Sequence, residues 1–130
     1  MALVVLDASV VIAFRDPDDT LYARAVAAFR THRAAEFVLP ASVYAEVLVG
    51  PMRHGAAATT SLDAFIHDFG VRIAPLDVEI ARGAALLRAQ TPSLRLPDAF
   101  VLATGEVLDA DAVLTGDVAW PKLNRRAKLI

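Results

Sequence analysis

The chain has 130 residues, of which 56% are hydrophobic, and its 13 basic and 15 acidic side chains give a net charge of −2. This length predicts one domain with a genuine core, and the charge excludes the global basic field that drives non-specific nucleic-acid binding. No apolar stretch approaches the roughly 18 residues of a membrane span, and the lack of cysteine excludes disulfides and zinc-thiolate sites.

The first residues do not have the pattern of a secretion signal. The apolar run 3–6 is too short, no basic segment precedes it, and Asp7 follows at once. We therefore expect a cytoplasmic protein. Any metal would have to be held by oxygen or imidazole ligands, because no thiolate is present.

Apolar, β-branched runs alternate with helical patterns along the chain. The predicted strands cover 3–6, 37–39, 71–74 and 112–115, with a fifth candidate at 127–130. This alternation predicts an α/β fold with a parallel sheet of four to five strands, flanked by helices on both faces. No linker or repeat divides the chain, so residues 1–130 are expected to form one domain.

Helical periodicity fills the segments between these strands. The first three predicted helices are one from around Ser9, one near 19–32 capped by Asp18 or Asp19, and one from Ser42 that stops before Gly50-Pro51. The other three are one that closes at Gly70 and has Leu62, Phe65, Ile66 and Phe69 on one face, one capped by Asp77 that ends at Pro92, and one from Pro97-Asp98 to Leu108. The helix from Ser42 carries an acidic residue, Glu46, among apolar neighbours. An unpaired charge buried there would be costly, so Glu46 would need a cation or a donor nearby.

Three further acids stand where this fold would bring them towards Glu46. Asp7 and Asp117 follow the first and fourth strands, and ligands of open α/β sheets bind beyond the carboxyl ends of strands. Asp98 opens a helix. Each has a simpler explanation alone, since Asp7 is a good N-cap, Asp98 complements a helix dipole and Asp117 follows Gly116 in a turn. Their convergence instead favours a divalent cation with oxygen ligands, which offsets carboxylate repulsion.

Other polar residues are weaker candidates for the site. The hydroxyls of Ser9 and Thr115 lie near the predicted rim and could orient an acid or a water. There is no glycine-rich phosphate loop. Trp120 is expected in the core. We expect no metal ligand among the three histidines, His32, His54 and His67. We expect the basic tail to be a solvated face without a function, and its residues are Lys122, Arg125, Arg126 and Lys128.

Four segments in order resemble the motifs of the PIN-domain ribonucleases, specifically the VapC-type toxins of bacterial type II toxin-antitoxin modules. They are Val4-Val5-Leu6-Asp7-Ala8-Ser9-Val10-Val11-Ile12, Glu46, Leu96-Pro97-Asp98-Ala99-Phe100-Val101-Leu102-Ala103-Thr104 and Leu114-Thr115-Gly116-Asp117. The resemblance implies a PIN domain and Mg²⁺- or Mn²⁺-dependent cleavage of RNA that inhibits translation and growth. It places the catalytic acids at Asp7, Glu46, Asp98 and Asp117.

Phosphodiester hydrolysis then requires a division of roles among these acids. Asp7, Asp98 and Asp117 would hold the metal, while Glu46 would position the attacking water or receive its proton. The family often has a further Asp and then Phe where this chain has Ala119 and Trp120, which puts a second metal in doubt.

The implied partners are an RNA substrate and a cognate VapB-type antitoxin, which would lie across the helices near 19–32 and 41–52. The apolar composition also favours a homodimer. Two alternatives stay open, a receiver-like phosphotransfer domain that binds Mg²⁺ and a non-catalytic PIN-like module that binds RNA.

Overall fold

A five-stranded parallel sheet runs through the centre of the protein. The computed structural model describes all of residues 1–130 and orders the strands β3-β2-β1-β4-β5. The strands are β1 (Leu3–Leu6), β2 (Glu36–Pro40), β3 (Arg72–Ala74), β4 (Ala112–Thr115) and β5 (Ala127–Leu129). The chain moves outward from β1 to one edge and then returns to β4 on the other side, so strand order reverses between β1 and β4. Ligands of such sheets bind at this switch point.

Seven helices surround the sheet. They are α1 (Ala8–Arg15), α2 (Tyr22–Thr31), α3 (Ala41–His54), α4 (Ala56–Asp68), α5 (Val78–Gln90), α6 (Leu96–Val107) and α7 (Trp120–Leu123). Consecutive residues of β1 and β4 are buried, which requires cover on both faces of the sheet. None of the helices is both long and apolar enough to span a membrane. The predicted fold class is confirmed.

All five predicted strands are present, including the candidate at the C-terminus. The Asp77 cap is also confirmed, since its carboxylate accepts a hydrogen bond from the backbone N–H of Ile80 at 2.8 Å. Trp120 is 2% exposed and belongs to the core, as expected. The short helix α7, which begins at this residue, was not predicted.

Two helix boundaries were predicted wrongly. The helix α2 begins after Leu21, and Asp19 instead accepts from the N–H of Leu21 in the turn before it. The helix α3 continues through Pro51 to His54. It stops at Gly55, where φ is +112°, a conformation that glycine adopts at little cost. The Gly50-Pro51 signal therefore does not end α3, and the start of α2 lies a few residues after the predicted cap.

The basic tail is only partly a solvated face. Lys122, Arg125 and Lys128 are exposed, as expected. Arg126 is half-buried, and its guanidinium donates to the carbonyl of Ala110 and pairs with Asp109. This side chain has a structural role and is not free to bind a ligand.

The glycine at position 105 permits close contact between α6 and β4. A Cβ atom at Gly105 would lie 2.5 Å from Cγ2 of the buried Val113. Gly105→Ala should therefore destabilise the protein by about 1–3 kcal/mol, because overpacking outweighs the better helix propensity of alanine. Thermal unfolding measures this change.

A second glycine provides the matched control. A Cβ atom at Gly50, in helix α3, would meet nothing within 4 Å. Gly50→Ala should thus stabilise the protein by up to about 1 kcal/mol through helix propensity alone. An equal response of the two variants would contradict the packing argument.

Candidate active site

Asp7 is held in place at the end of β1 by three hydrogen bonds to its carboxylate. Oδ1 accepts from the backbone N–H of Ala8 at 2.8 Å, so the predicted N-cap role for α1 is real. Oδ2 accepts from the hydroxyls of Ser9 at 2.8 Å and Thr115 at 3.0 Å. The hydroxyls thus orient an acid, as predicted, and the cap does not exclude a second role.

The loops that follow β1 and β4 are joined around these hydroxyls. The backbone N–H of Gly116 donates to Oγ of Ser9 at 2.9 Å, and that of Asp117 donates to Oγ1 of Thr115 at 3.0 Å. A Cβ atom at Gly116 would lie 2.7 Å from Leu21 and 3.3 Å from the Ser9 oxygen. Because each hydroxyl oxygen accepts one N–H, its proton is directed to Asp7.

Asp98 lies in the first turn of α6, and an arginine accompanies it. Nε of Arg95 is 3.8 Å from Oδ2 of Asp98, and the two side chains are 76% and 26% exposed. Sequence reasoning missed Arg95. The signal was present, because an arginine three residues before an acid at a helix start can meet it on the same face.

Glu46 is exposed, so the argument that its apolar neighbours bury it was wrong. Helix α3 turns Val43 and Val47 into the core and leaves Glu46 on the solvent side. Apolar residues adjacent in sequence lie on other faces of a helix and do not surround it. The case for this residue therefore rests on its position relative to the other acids.

The four predicted acids share one electrostatic field. Burial raises the pKa of Asp7, its hydrogen bonds oppose this, and the charge of Asp117 raises the pKa further. Partial burial of its carboxyl group raises the pKa of Glu46, and the charges of Asp7 and Asp98 add to this shift. Burial also raises the pKa of Asp98. The charge of Arg95 opposes this shift, and the charges of Asp7 and Asp117 add to it. The fold thus brings the four acids within electrostatic reach.

The four carboxylates are chemically suited to a cation, although they are not arranged around one ion position. No group of three or more His, Cys, Asp or Glu side chains is placed to hold one metal ion. Asp98 faces Arg95, and the Asp117 carboxylate accepts from the N–H of Ala119 at 2.9 Å. The donors are hard oxygens, and each raised pKa reports repulsion or dehydration that a divalent ion would relieve. The donor set is therefore of the kind that suits a hard divalent cation.

A parallel α/β sheet with acids at its switch point defines a class of ligand-binding and catalytic proteins. Residues 4–126 match the PIN domain, and the chain belongs to this family. The predicted resemblance is confirmed, and the receiver-like alternative is set aside. No curated protein matches the sequence.

Several solved structures share the fold. A chain of a toxin-antitoxin complex from Klebsiella pneumoniae is 21% identical, with a TM-score of 0.70 over 90% of this chain and 87% of that one. FitAcB from Neisseria gonorrhoeae is 20% identical, with a TM-score of 0.75 over 98% and 96%. VapC20 of Mycobacterium tuberculosis, a toxin that cleaves the sarcin-ricin loop, is 16% identical, with a TM-score of 0.72 over 92% and 93%.

The charge of Arg95 should be measurable through its neighbours. Arg95 lowers the pKa of both Asp98 and Glu46. In Arg95→Ala the pKa of each carboxyl should therefore rise, so that both groups stay protonated to a higher pH than in the wild type. Carboxyl ¹³C NMR titration of the metal-free protein measures this shift.

Arg82→Ala, an exposed position on α5, is the matched control and should leave both titrations unchanged. A pKa of Asp98 that stays constant or falls in Arg95→Ala would show that the arginine is too well solvated to act on the site.

Proposed function

We propose that this protein is a metal-dependent endoribonuclease that acts as the toxin of a toxin-antitoxin pair. The observation that carries the proposal is the convergence of Asp7, Glu46, Asp98 and Asp117 at the switch point of a PIN fold. The activity of VapC20 towards the sarcin-ricin loop supports RNA as the substrate. A non-catalytic module would have no need for all four acids, so we favour an enzyme formed by residues 1–130.

Asp7, Asp98 and Asp117 would hold Mg²⁺ or Mn²⁺. A bound divalent ion would supply charge neutralisation of the acids against the RNA phosphate, polarisation of the scissile group and activation of water. Asp7 is the best ordered of the three, because its hydrogen bonds to Ser9 and Thr115 fix the carboxylate before any ligand arrives. Preorganised ligands lower the cost of assembling such a site.

Glu46 would act as the proton acceptor for the attacking water. Its side chain is exposed and its carboxyl group only partly buried, so water can reach it, and its raised pKa makes it a stronger base than an ordinary glutamate. In-line attack by water on RNA would leave a 5′-phosphate and a 3′-hydroxyl. The 2′-hydroxyl is not needed as a nucleophile, so preference for RNA would come from shape and single-strand contacts.

The residues after Asp117 argue for one tightly held ion. Ala119 offers no carboxylate and forms the N-terminal boundary of α7, while Trp120 is buried. A second ion would need an RNA phosphate oxygen among its ligands. We propose that RNA-free protein binds one ion per chain.

An antitoxin is the proposed regulatory partner. The fold neighbours include toxin-antitoxin complexes, which supports a VapB-type protein that lies across α2 and α3 and places a basic side chain near the acids. Helix α3 exposes Val49 and Met52, which suit such contact. We also propose a homodimer, in which exposed apolar side chains such as Val78 and Leu86 of α5 would be covered.

Two experiments test the proposal. Total RNA incubated with the protein should be cut in Mg²⁺ and stay intact in excess chelator. Expression of the protein alone should arrest growth, and co-expression of a cognate VapB-type antitoxin should restore it. Intact RNA under all metal conditions would refute the nuclease, while RNA cleavage without growth arrest would refute only the toxin.

A further inference from the structure

An open cavity lies between α1, α3 and α4, and one of the four acids of the candidate site lines it. Its volume is roughly 570 Å³, and Glu46 stands on its wall together with Arg15, Asp16, His54 and Ser61. Glu46 also experiences the charges of Asp7 and Asp98. The cavity therefore continues the predicted catalytic site along the surface instead of forming a separate one.

Helix α3 forms one wall of this cavity. Glu46, Gly50 and His54 follow at intervals of four residues, so they lie near one another along one side of the helix. The middle position has no side chain, and a Cβ atom there would meet nothing within 4 Å. The eight residue steps from Glu46 to His54 span about 12 Å of helix, which is long enough for more than a single phosphate group.

Arg15 is the cation in this cavity that has no acidic partner. Its Nη2 donates to Oγ of Ser61 at 3.1 Å, which orients the guanidinium. Asp16 and Glu46 line the same cavity, yet Arg15 takes part in none of the four ion pairs of the structure. A guanidinium has five N–H donors, so several stay available for an anion.

We propose that this cavity is the subsite for the RNA strand next to the scissile phosphate, and that Arg15 binds a phosphate oxygen of a neighbouring nucleotide. The proposal rests on the proposed nuclease function and extends it. An RNA strand that enters a cluster of acids on a protein of net charge −2 needs a local cation to hold it. Arg15 is placed to do this, and Ser61 acts as its positioning residue.

The phosphate oxygens of the strand are the ligand that this geometry favours. Arginine binds phosphate with two parallel N–H donors, and a donor already fixed by Ser61 loses less side-chain freedom on binding. Two acids in the same cavity would repel a free anion. A neighbouring phosphate in a strand already held at the metal site would be bound with the help of that attachment.

The test compares Arg15→Gln with the wild type and with Arg82→Ala in RNA cleavage and RNA binding. Glutamine keeps a donor for Ser61 but removes the charge. We expect KM to rise about tenfold while kcat changes little, because a charge-assisted hydrogen bond away from the reacting atoms is lost. The slope of the logarithm of the RNA-binding constant against the logarithm of salt concentration should become smaller in magnitude by about one, because one phosphate contact is lost. Arg15→Lys should recover part of the affinity, and Arg82→Ala should behave as the wild type.

The outcomes separate this proposal from the nuclease itself. If the wild-type protein does not cleave RNA, the proposed function has failed. If it does, and Arg15→Gln keeps the wild-type KM and salt slope, the subsite is wrong. Thermal unfolding checks that each variant is folded, and Ser61→Ala, which leaves the charge in place but frees the guanidinium, should give a smaller rise in KM. A Ser61→Ala variant with no rise would overturn the positioning role.

Discussion

Asp7→Asn is expected to reduce RNA cleavage on the order of a thousandfold while the protein stays folded. The loss follows because Asp7 is the most enclosed acid of the site, and the charge stabilisation that a metal supplies is worth several kcal/mol. Asparagine has almost the same size and can still accept from Ala8. The hydroxyls of Ser9 and Thr115 can rotate to accept from its amide, so the loop contacts should survive. Cleavage rates at saturating Mg²⁺ measure the loss.

The control for this variant is Asp68→Asn, which removes an exposed carboxylate of α4 whose only close partner is His67. It should cleave RNA at the wild-type rate. If Asp7→Asn kept more than about a tenth of the wild-type activity with an unchanged melting temperature, the carboxylate would be a helix cap and nothing more.

The second large effect concerns stability with and without metal. A divalent ion at a hundredfold excess over its dissociation constant should stabilise the wild type by about 2.7 kcal/mol, because it binds only the folded state. Asp98→Asn should lose most of this stabilisation. Calorimetry should find one Mn²⁺ per chain without RNA, and Asp117→Asn should weaken that binding without eliminating it.

The same variant should have the opposite effect once metal is removed. The folded-state pKa of Asp98 is raised, so the folded protein binds more protons than the unfolded chain between the two pKa values. The free energy of unfolding therefore falls as pH rises through that window and stays reduced above it. In chelator at pH 7, Asp98→Asn should be more stable than the wild type, by no more than about 1 kcal/mol because the group is partly solvated. At pH 3 the difference should disappear.

A metal-free Asp98→Asn that is less stable than the wild type at pH 7 would show that the Arg95 contact outweighs the repulsion. Two tight, equivalent Mn²⁺ sites in the wild type would show that Asp117 belongs to a pair of sites instead of supporting a single one.

The sheet could be predicted because strands that are buried on both faces of a parallel sheet have short, continuous apolar sequences. Segments 3–6 and 112–115 each bury consecutive residues, and this pattern also places Asp7 and Asp117 at the switch point. Pro51 misled the prediction because the path of α3 depends on its tertiary neighbours, which a local signal does not contain. The predicted strands thus located the site more reliably than the helix ends did.

The sequence predicts which acids share this edge of the sheet, but it does not predict the contacts that they make. The predicted burial of Glu46 is wrong, because the apolar residues beside it in sequence lie on other faces of α3. The hydrogen bond from Gly116 to Ser9 joins residues 107 positions apart, and no local sequence pattern predicts it. Arg15 becomes notable only when Ser61 and Glu46 are seen in the same cavity.

The origin of the oxygen in the cleaved phosphate tests the central claim most directly. Total RNA is cleaved by the wild-type protein with Mg²⁺ in ¹⁸O-labelled water, and mass spectrometry reads the new fragment ends. Hydrolysis by water activated among these acids predicts 5′-phosphates that carry one ¹⁸O and 3′-hydroxyls, with no such products from Asp7→Asn. Fragments that end in 2′,3′-cyclic phosphates without the label would show that the 2′-hydroxyl attacks, and would contradict the mechanism.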